Sequence, residues 1–382
     1  MDLALTPEQE AARELAATFT NREIAPHAKE WDRAECIDRG IVKRLGELGF
    51  LGLTIPERWG GSGGDHLTYC LVLEELGRGD SAVRGLVSVS LGLVAKTIVA
   101  FGTDEQRASW LPRLCFGEAL GCFALTEPGT GSDAASLATR AVPDGGDYVL
   151  TGTKMFITNG TWADVVLVFA RTGEPGPRGI TAFLVPTDTP GLVRNEIHGK
   201  LGLRGQPTAE LVFDGVRVPA TAAVGEVGRG FRIAMSTLDK GRMSVAAGCV
   251  GIAQACLDAA TTYATERIQF GKPIAAHQLV QELLSTIAVD TAAARLLTWR
   301  VADLIERGRP FATEASMAKL FASEAAVRCA NNALQVFGGY GYIDEYPVGK
   351  YLRDARVTTL YEGTSQIQHL LIGRALTGVS AF

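Results

Sequence analysis

The sequence predicts an α+β fold in which a β-rich middle region separates two helical regions. Apolar residues recur at helical spacing from Thr6 to about Leu120. Short β-rich runs broken by Gly, Pro, Asp and Asn follow to about Val227, and long helices return after Phe231. Because strands and helices do not alternate throughout, this order excludes a doubly wound sheet. We expect domains at 1–120, 121–227 and 228–382.

The first helical region begins with a predicted helix start at Thr6, Pro7 and Gln9. Neither a basic leader nor an apolar signal core is found before this start, so we expect no export signal. The longest apolar stretch, Gly85 to Ala95, is too short to span a bilayer. We therefore expect a cytoplasmic protein that does not associate with a membrane.

The composition is that of an ordinary globular protein and argues against several other classes. Hydrophobic residues make up 47% of the chain and charged residues 21%, and the net charge of -5 argues against a nucleic-acid binder. Seven cysteines without a CxxC pair indicate reduced thiols. The five histidines lack the HExxH spacing of a zinc helix, so we expect no metal.

Two familiar motifs occur in settings that argue against their usual function. Residues 129–134 match GxGxxA, but the run DYVLTG that follows predicts a strand, whereas a dinucleotide fingerprint requires a helix there. Residues 60–64 match GxSxG, but they lie in a predicted loop between helices and not in a strand-to-helix elbow. We therefore expect neither a nicotinamide site nor a hydrolase nucleophile.

The run LYEGTSQIQH near the C-terminus holds an acidic residue in an unusual place. Ser365 and Gln368 have capping-box spacing, which predicts a helix start at Ser365. Glu362 and Gly363 then lie on the turn before this helix. The helix dipole favours an ionised carboxylate there, whereas burial raises its pKa. An ordinary first-turn glutamate would occupy the same position, so the turn alone leaves both interpretations open.

Four other polar segments combine glycines with hydroxyls, an aromatic ring or an arginine. Glycines permit close backbone approach, and hydroxyls together with an arginine can hold a pyrophosphate. Turns, caps and a solvated arginine would explain each segment equally well on its own. The four segments are CFALTEPGTGSD at 122–133, MFITNG at 155–160, ERIQFGKPIAAHQ at 266–278 and QVFGGYGY at 335–342.

Together with YEGTSQIQ, these segments resemble the acyl-CoA dehydrogenase family along essentially the whole chain. The resemblance implies an N-terminal helical domain, a middle β-barrel-like domain and a C-terminal four-helix bundle. It also implies FAD, an acyl-CoA or acyl-carrier thioester as substrate, a homotetramer, and electron-transferring flavoprotein as the oxidant. The implied reaction converts a short acyl thioester to the trans-2-enoyl thioester.

The resemblance also assigns roles to individual residues. Glu362 matches the catalytic base, which removes the α-proton while flavin N5 accepts the β-hydride. Gly241 stands where members with a base on the other helix carry Glu, so Glu362 is expected to be the only base. The substrate-binding positions that the resemblance implies are Ser132, Asp239, Arg242 and Gly363.

The implied cofactor positions fall into two groups. Among these positions, Phe156 stands where many members of the family have tryptophan. Those in the β-region and after the base are Phe123, Leu125, Thr126, Gly131, Ser132, Phe156, Thr158, Thr364 and Gln366. Those that would reach FAD across a subunit boundary are Arg267, Gln269, Phe270, Gln278, Gln335, Gly338 and Gly339.

Arg84 leaves the choice of substrate open. In the glutaryl-CoA dehydrogenase branch, which the chain also resembles, an arginine at the similar place binds the distal carboxylate of the substrate. A surface arginine paired with Asp80 at i,i+4 is the alternative. An acyl-CoA oxidase, a flavin monooxygenase and a noncatalytic acyl-thioester-binding protein remain alternatives on the same scaffold, although the presence of Glu362 argues against the last two.

Overall fold

A computed structural model describes residues 4–381 and places a β-sheet region between two groups of helices. The predicted α+β class is confirmed. The last helix of the first group ends at Cys115, the strands run from Gly121 to Val224, and the next helix begins at Gly230. The domain bounds at 1–120, 121–227 and 228–382 stay a prediction.

The first group of helices packs around a continuous apolar core. Thr6 caps the first helix in a capping box with Gln9, as the predicted helix start requires. Residues 60–64 form a loop between helices, as expected. The helices are α1 Pro7–Phe19, α2 Ala28–Ala34, α3 Gly40–Glu47, α4 His66–Gly79, α5 Ser81–Val87, α6 Lys96–Phe101 and α7 Asp104–Cys115.

Two helical runs are long and apolar enough, by composition alone, to cross a membrane: Ser81–Phe101 and Gly230–Glu266. The first is longer than the apolar stretch Gly85 to Ala95, because π-helical residues 88–95 join α5 to α6 without a break. In the most apolar windows of the two runs, 83% and 78% of the residues are buried inside the fold. Such burial is typical of core helices.

The middle region is one sheet of eight strands. Its order is β6-β7-β3-β2-β4-β5-β8, with β1 pairing in parallel with β4. A register shift between Lys154 and Ile157 interrupts the long pairing of β3 with β7. The strands are β1 Gly121–Ala124, β2 Arg140–Asp144, β3 Asp147–Thr158, β4 Val165–Arg171, β5 Ile180–Pro186, β6 Leu192–Glu196, β7 Thr208–Pro219 and β8 Ala223–Val224.

The central strand β4 is buried on both faces, which explains its unbroken apolar sequence. Side chains alternate along a strand, so its two sets of residues enter different cores. Val165, Leu167 and Phe169 join the core that the helices share. Val166, Val168 and Ala170 join the core that the sheet encloses by itself.

The second group of helices contains the long helix α8, which packs against α4. Small residues permit this close approach: a Cβ added at Gly251 would lie 2.2 Å from the Glu74 carbonyl oxygen. The helices are α8 Gly230–Glu266, α9 Gln278–Glu306, α10 Ala312–Phe337, α11 Val348–Val357 and α12 Ser365–Thr377. A two-stranded hairpin, β9 Ile268–Gln269 and β10 Lys272–Pro273, joins α8 to α9.

Candidate active site

The N-cap of α12 is Thr364, so the predicted capping box of Ser365 and Gln368 is wrong. The Thr364 hydroxyl accepts a hydrogen bond from the Ile367 amide at 3.3 Å, and its ψ of 162° is extended. Ser365 is already helical and donates to Glu324 Oε1 at 2.5 Å. Because both candidate residues carry a hydroxyl, sequence spacing could not distinguish them.

Glu362 and Gly363 form the turn before this cap, with φ values of 52° and 92°. Two buried side chains hold their carbonyl groups. Gln368 Nε2 donates to Glu362 O at 3.2 Å and to Gly363 O at 3.0 Å, and Lys319 Nζ donates to Gly363 O at 2.8 Å. A positive φ at a non-glycine residue is uncommon and occurs often at functional sites. Contacts from α10 and α12 therefore fix the turn that carries Glu362.

The Glu362 carboxylate lies against Gly241 on α8. A Cβ added at Gly241 would lie 2.1 Å from Glu362 Oε2, so the carboxylate occupies the space that a side chain would need. Oε2 is buried and has no hydrogen-bond partner, although Glu362 as a whole is partly exposed. A buried acceptor without a partner is unfavourable by about 1–3 kcal/mol and calls for an explanation, such as a catalytic role.

The charges around Glu362 suit a group that exchanges protons at neutral pH. Burial raises the pKa of Glu362 to about 7, and the positive charges of Arg84, Lys319 and Arg242 limit that rise. A carboxyl group with a pKa near 7 is partly ionised at neutral pH and can accept a proton there.

Arg84 is buried near this turn, so the alternative of a surface arginine paired with Asp80 is wrong. Arg84 is 1% exposed, and its Nη2 donates to the Tyr361 hydroxyl at 2.9 Å. Asp80 instead caps α5 and lies 3.0 Å from Lys350 Nζ. Gly248 makes room for the guanidinium, because a Cβ there would lie 2.4 Å from Arg84 Nε. That Nε is buried and has no hydrogen-bond partner.

Asp239 and Arg242 flank Gly241, the glycine that faces Glu362. Arg242 Nη1 donates to Asp239 Oδ1 at 2.6 Å, and Arg242 is 6% exposed. The Nε of Arg242 is buried and has no hydrogen-bond partner. The aspartate therefore fixes a guanidinium that keeps donor capacity next to Glu362.

The two predicted flavin segments of the β-region lie side by side. The Met155 amide donates to Thr126 O at 2.9 Å, which joins the loop after β1 to β3. Phe156 sits at the register shift of β3 with a φ of 61° and is 67% exposed. The other members of the two segments are Phe123, Leu125, Gly131, Ser132 and Thr158.

A buried ion pair that the sequence reasoning missed anchors this loop. Lys154 is fully buried, and its Nζ donates to Leu125 O at 3.0 Å and to Glu127 Oε1 at 2.8 Å. Glu127 also accepts a hydrogen bond from the Thr139 amide at 2.9 Å. The pair ties the start of the glycine-rich loop to β3.

Four of the predicted cross-subunit positions line an open cleft of ≈ 440 Å³. They are Arg267, Gln269, Gly338 and Gly339, and all the lining residues lie between 263 and 343. The Arg267 guanidinium lies 5.5 Å from the centre of the Tyr340 ring. The three remaining positions of this set, Phe270, Gln278 and Gln335, are exposed and lie outside the cleft lining.

Comparison with known families covers almost the whole chain. Family models of the acyl-CoA dehydrogenase N-terminal, middle and C-terminal domains match residues 6–118, 122–216 and 228–377. The chain belongs to the acyl-CoA dehydrogenase family. It is therefore an oxidoreductase that acts on acyl-CoA.

Individual relatives are similar over most or all of their length. The mitochondrial short-chain specific acyl-CoA dehydrogenase of Bos taurus is 45% identical over 94% of this chain and 88% of the relative. Butyryl-CoA dehydrogenase from Megasphaera elsdenii is 42% identical, with a TM-score of 0.96 over 98% of this chain and 100% of that one. A glutaryl-CoA dehydrogenase from Mycobacterium smegmatis in complex with FADH2 is 37% identical, with a TM-score of 0.95 over 99% and 96%.

Acyl-CoA dehydrogenases carry FAD, and the residues of this chain fit that cofactor. The cleft offers a guanidinium, an amide and glycine N–H groups, which suit a pyrophosphate. A Cβ added at Gly338 or Gly339 would meet nothing within 4 Å, so the backbone there is open to a ligand. The exposed ring of Phe156 suits a flat aromatic partner. Within residues 4–381, no group of three or more His, Cys, Asp or Glu side chains could hold a metal ion.

Three residues around Glu362 were not assigned to the site by the sequence reasoning: Lys319, Tyr361 and Gln368. Lys319 could have been found, because it interrupts the small, buried face of α10 that includes Ala315 and Ala322. A lysine in such a face is rarely buried without a purpose. For Tyr361 and Gln368 the sequence holds no comparable signal, because their contacts depend on the conformation of the turn.

Proposed function

We propose that this acyl-CoA dehydrogenase oxidises a short acyl-CoA to the trans-2-enoyl-CoA, with Glu362 as the base. The observation that carries the proposal is the buried, unpaired Glu362 Oε2 in the space left by Gly241. The names of the similar Bos taurus and Megasphaera elsdenii proteins support a short acyl chain.

In the proposed reaction, the ionised Glu362 carboxylate removes the α-proton and keeps it on its oxygen. When bound, FAD supplies the acceptor for the β-hydride. Gly363 is needed for the φ of 92° and for the close approach of Gln368 Nε2, which would lie 2.5 Å from an added Cβ. The backbone N–H groups of this turn would stabilise the developing negative charge on the thioester oxygen. Arg242, oriented by Asp239, binds near the reacting end of the substrate, and Ser132 contributes a hydroxyl.

We assign the cofactor positions to two binding regions. The flavin half would contact the loop after β1, the Phe156 segment of β3, and the residues Thr364 and Gln366 after the base. The cleft residues Arg267, Gln269, Gly338 and Gly339 would hold the FAD of a neighbouring subunit, together with Phe270, Gln278 and Gln335.

A subunit interface at this side of the molecule is supported by exposed apolar side chains. Phe270 is 93% exposed, and Leu279 and Val289 of α9 are 76% and 67% exposed. We propose a homotetramer, with electron-transferring flavoprotein as the oxidant and the cytoplasm as the location. Light scattering that reports a monomeric, FAD-loaded protein would contradict the assembly.

The role of Glu362 is tested by mixing the FAD-loaded protein with butyryl-CoA without oxygen and following the bleaching of the flavin. Glu362→Gln should abolish bleaching while keeping the bound flavin. In the wild type, the rate should rise with pH through about 7, because the base must be ionised. Glu324→Gln, which changes a carboxylate on α10 that accepts a hydrogen bond from Ser365, should retain the wild-type rate. Full-speed bleaching by Glu362→Gln would refute the proposed base.

The other candidate substrate is an acyl thioester whose far end carries a carboxylate. The residue that supports this candidate is Arg84. This arginine is buried near Glu362 with an unpaired Nε and a neutral hydroxyl as its partner. A guanidinium in that state could bind a carboxylate at the far end of a glutaryl or a carrier-bound acyl group. Glutaryl-CoA should then be preferred over butyryl-CoA by the wild type and not by Arg84→Gln. An unchanged preference rules out the clamp.

The oxidase, monooxygenase and noncatalytic alternatives are not favoured by the similarity to dehydrogenases. Oxygen as the oxidant would give rapid peroxide formation with butyryl-CoA and no added acceptor, which is a direct check. A protein without turnover would bind the thioester and leave the flavin oxidised.

A further inference from the structure

Lys319 carries a buried positive charge that the proposed mechanism does not explain. Its side chain lies on α10 with no solvent exposure, and Nζ donates to Gly363 O at 2.8 Å. Within residues 4–381 this ammonium forms no ion pair within 4.0 Å. Burial of an ammonium without a paired carboxylate is strongly unfavourable. A neutral donor would satisfy the same carbonyl group with a smaller desolvation penalty, so the charge itself needs a reason.

The hydrogen bond from Lys319 is not the only support of the turn. Gln368 Nε2 donates to the same Gly363 oxygen at 3.0 Å and also to Glu362 O at 3.2 Å. Lys319 and Gln368 therefore perform the same hydrogen-bonding task from two helices. They differ in charge, since the amide of Gln368 is neutral.

The charge of Lys319 has few local partners. Arg242 is neutralised by Asp239 at 2.6 Å, whereas Lys319 has only a carbonyl oxygen as its acceptor. The ionisable groups that interact with Lys319 are Cys249 and Arg242 from α8, Glu324 from α10, and Glu362. Those that interact with Glu362 are Tyr69 from α4, Arg84 from α5, Arg242 from α8, Lys319 from α10, and Tyr361.

We propose that Lys319 is a positioning residue whose buried positive charge keeps Glu362 ionised, while its hydrogen bond to Gly363 holds the turn. This proposal rests on Glu362 being the base. The charge acts on the base through space, and the hydrogen bond acts through the backbone of the turn. Substitutions can therefore separate the two effects.

Loss of the positive charge should make Glu362 harder to ionise. Burial lowers the pKa of Lys319 to about 8, so it is mostly charged at pH 7. Without that charge the pKa of Glu362 rises, and the midpoint of the pH–rate profile moves up by about one unit. The ionised fraction at pH 7, and with it the bleaching rate, then falls about fivefold.

The test compares pH profiles of flavin bleaching by butyryl-CoA in four FAD-loaded variants. Lys319→Gln and Lys319→Met, which lack the charge, should shift the midpoint upward. Lys319→Arg, which keeps the charge, and Gln368→Met, which removes a neutral donor to the same oxygen, should leave the midpoint in place. The proposal is overturned if the midpoint stays in place in both neutral Lys319 variants. It is also overturned if Gln368→Met shifts the midpoint as much as these variants do.

Two controls keep the outcome interpretable. Flavin content and the melting temperature identify variants that do not fold. If neither neutral variant folds, Lys319→Arg provides the test. Arginine stays charged above pH 8, so the midpoint of this variant should not exceed that of the wild type, and a higher midpoint overturns the proposal. Bleaching by Glu362→Gln at full speed would refute the base itself, whereas an inactive Glu362→Gln with unshifted Lys319 variants would refute only the role of Lys319.

Discussion

Gly241 and Glu362 show how one missing side chain can make room for the proposed catalytic base. The space beside Gly241 that a Cβ would fill holds the Glu362 carboxylate, and the nearest atom would be only 2.1 Å away. The carboxylate is the flexible end of the Glu362 side chain. A side chain added at Gly241 would therefore displace this carboxylate before it displaced α8 or the turn. The activity should therefore be more sensitive than the fold to a change at Gly241.

We predict that Gly241→Ala lowers kcat about 100-fold with little loss of stability, because an error of about 1 Å in the base is enough for that effect. Stopped-flow bleaching and thermal unfolding measure the two quantities. Gly373→Ala on α12 is the matched control, since a Cβ there meets nothing within 4 Å. Equal kcat in Gly241→Ala and the wild type would show that the carboxylate does not need its observed position.

The sequence predicted the role or position of a single residue only where few alternatives fit that residue and its neighbours. The role of Glu362 could be predicted through the resemblance of its segment to the acyl-CoA dehydrogenase family, whereas the turn alone also fits an ordinary first-turn glutamate. The position of Arg84 could not, since i,i+4 spacing to Asp80 fits a surface pair as well as a buried guanidinium. The partner of Arg84 is Tyr361, which is distant in sequence, so only the packing of α5 against the turn reveals it.

At the level of elements, a buried ion pair joins β3 to the loop after β1, beside the backbone hydrogen bond from Met155 to Thr126. Lys154 is fully buried and Glu127 is 7% exposed, so each charge depends on the other. Removal of one partner from a buried pair leaves an uncompensated charge. The loop after β1 should therefore lose its anchor when either residue alone is changed.

We predict that Lys154→Met lowers the free energy of unfolding by about 3–5 kcal/mol and weakens FAD retention. Urea unfolding at pH 7 measures the first quantity, and the flavin absorbance after gel filtration measures the second. The double variant Lys154→Met with Glu127→Gln should recover part of the stability, because it no longer buries an unpaired charge. A single variant as stable as the wild type would contradict the proposed anchor.

The elements themselves could mostly be predicted, and the errors have physical causes. Turn residues separate the strands of the β-region, and helical periodicity marks α8, α9 and α10. The N-cap of α12 was predicted one residue late, because Thr364 and Ser365 both carry a hydroxyl that can cap a helix. The sequence identified only the apolar stretch Gly85 to Ala95, whereas the helical run in the structure extends from Ser81 to Phe101, because π-helical residues 88–95 continue α5 into α6.

For the whole molecule, the order of helices, sheet and helices was sufficient to predict the fold class. The resemblance to acyl-CoA dehydrogenases then supplied the family, which the full-length similarity confirms. Charge balance in the interior could not be predicted from the sequence. Lys319, Arg84 and Arg242 come from three helices, and only their packing brings three positive charges around one carboxylate.

The central claim is that the Glu362 carboxyl group removes the α-proton of an acyl-CoA. Exchange of the α-hydrogens of butyryl-CoA in D2O, followed by NMR, measures that step directly. We expect the FAD-loaded wild type to catalyse this exchange and Glu362→Gln to leave it at the rate found without enzyme. Exchange by Glu362→Gln at the wild-type rate would contradict the account.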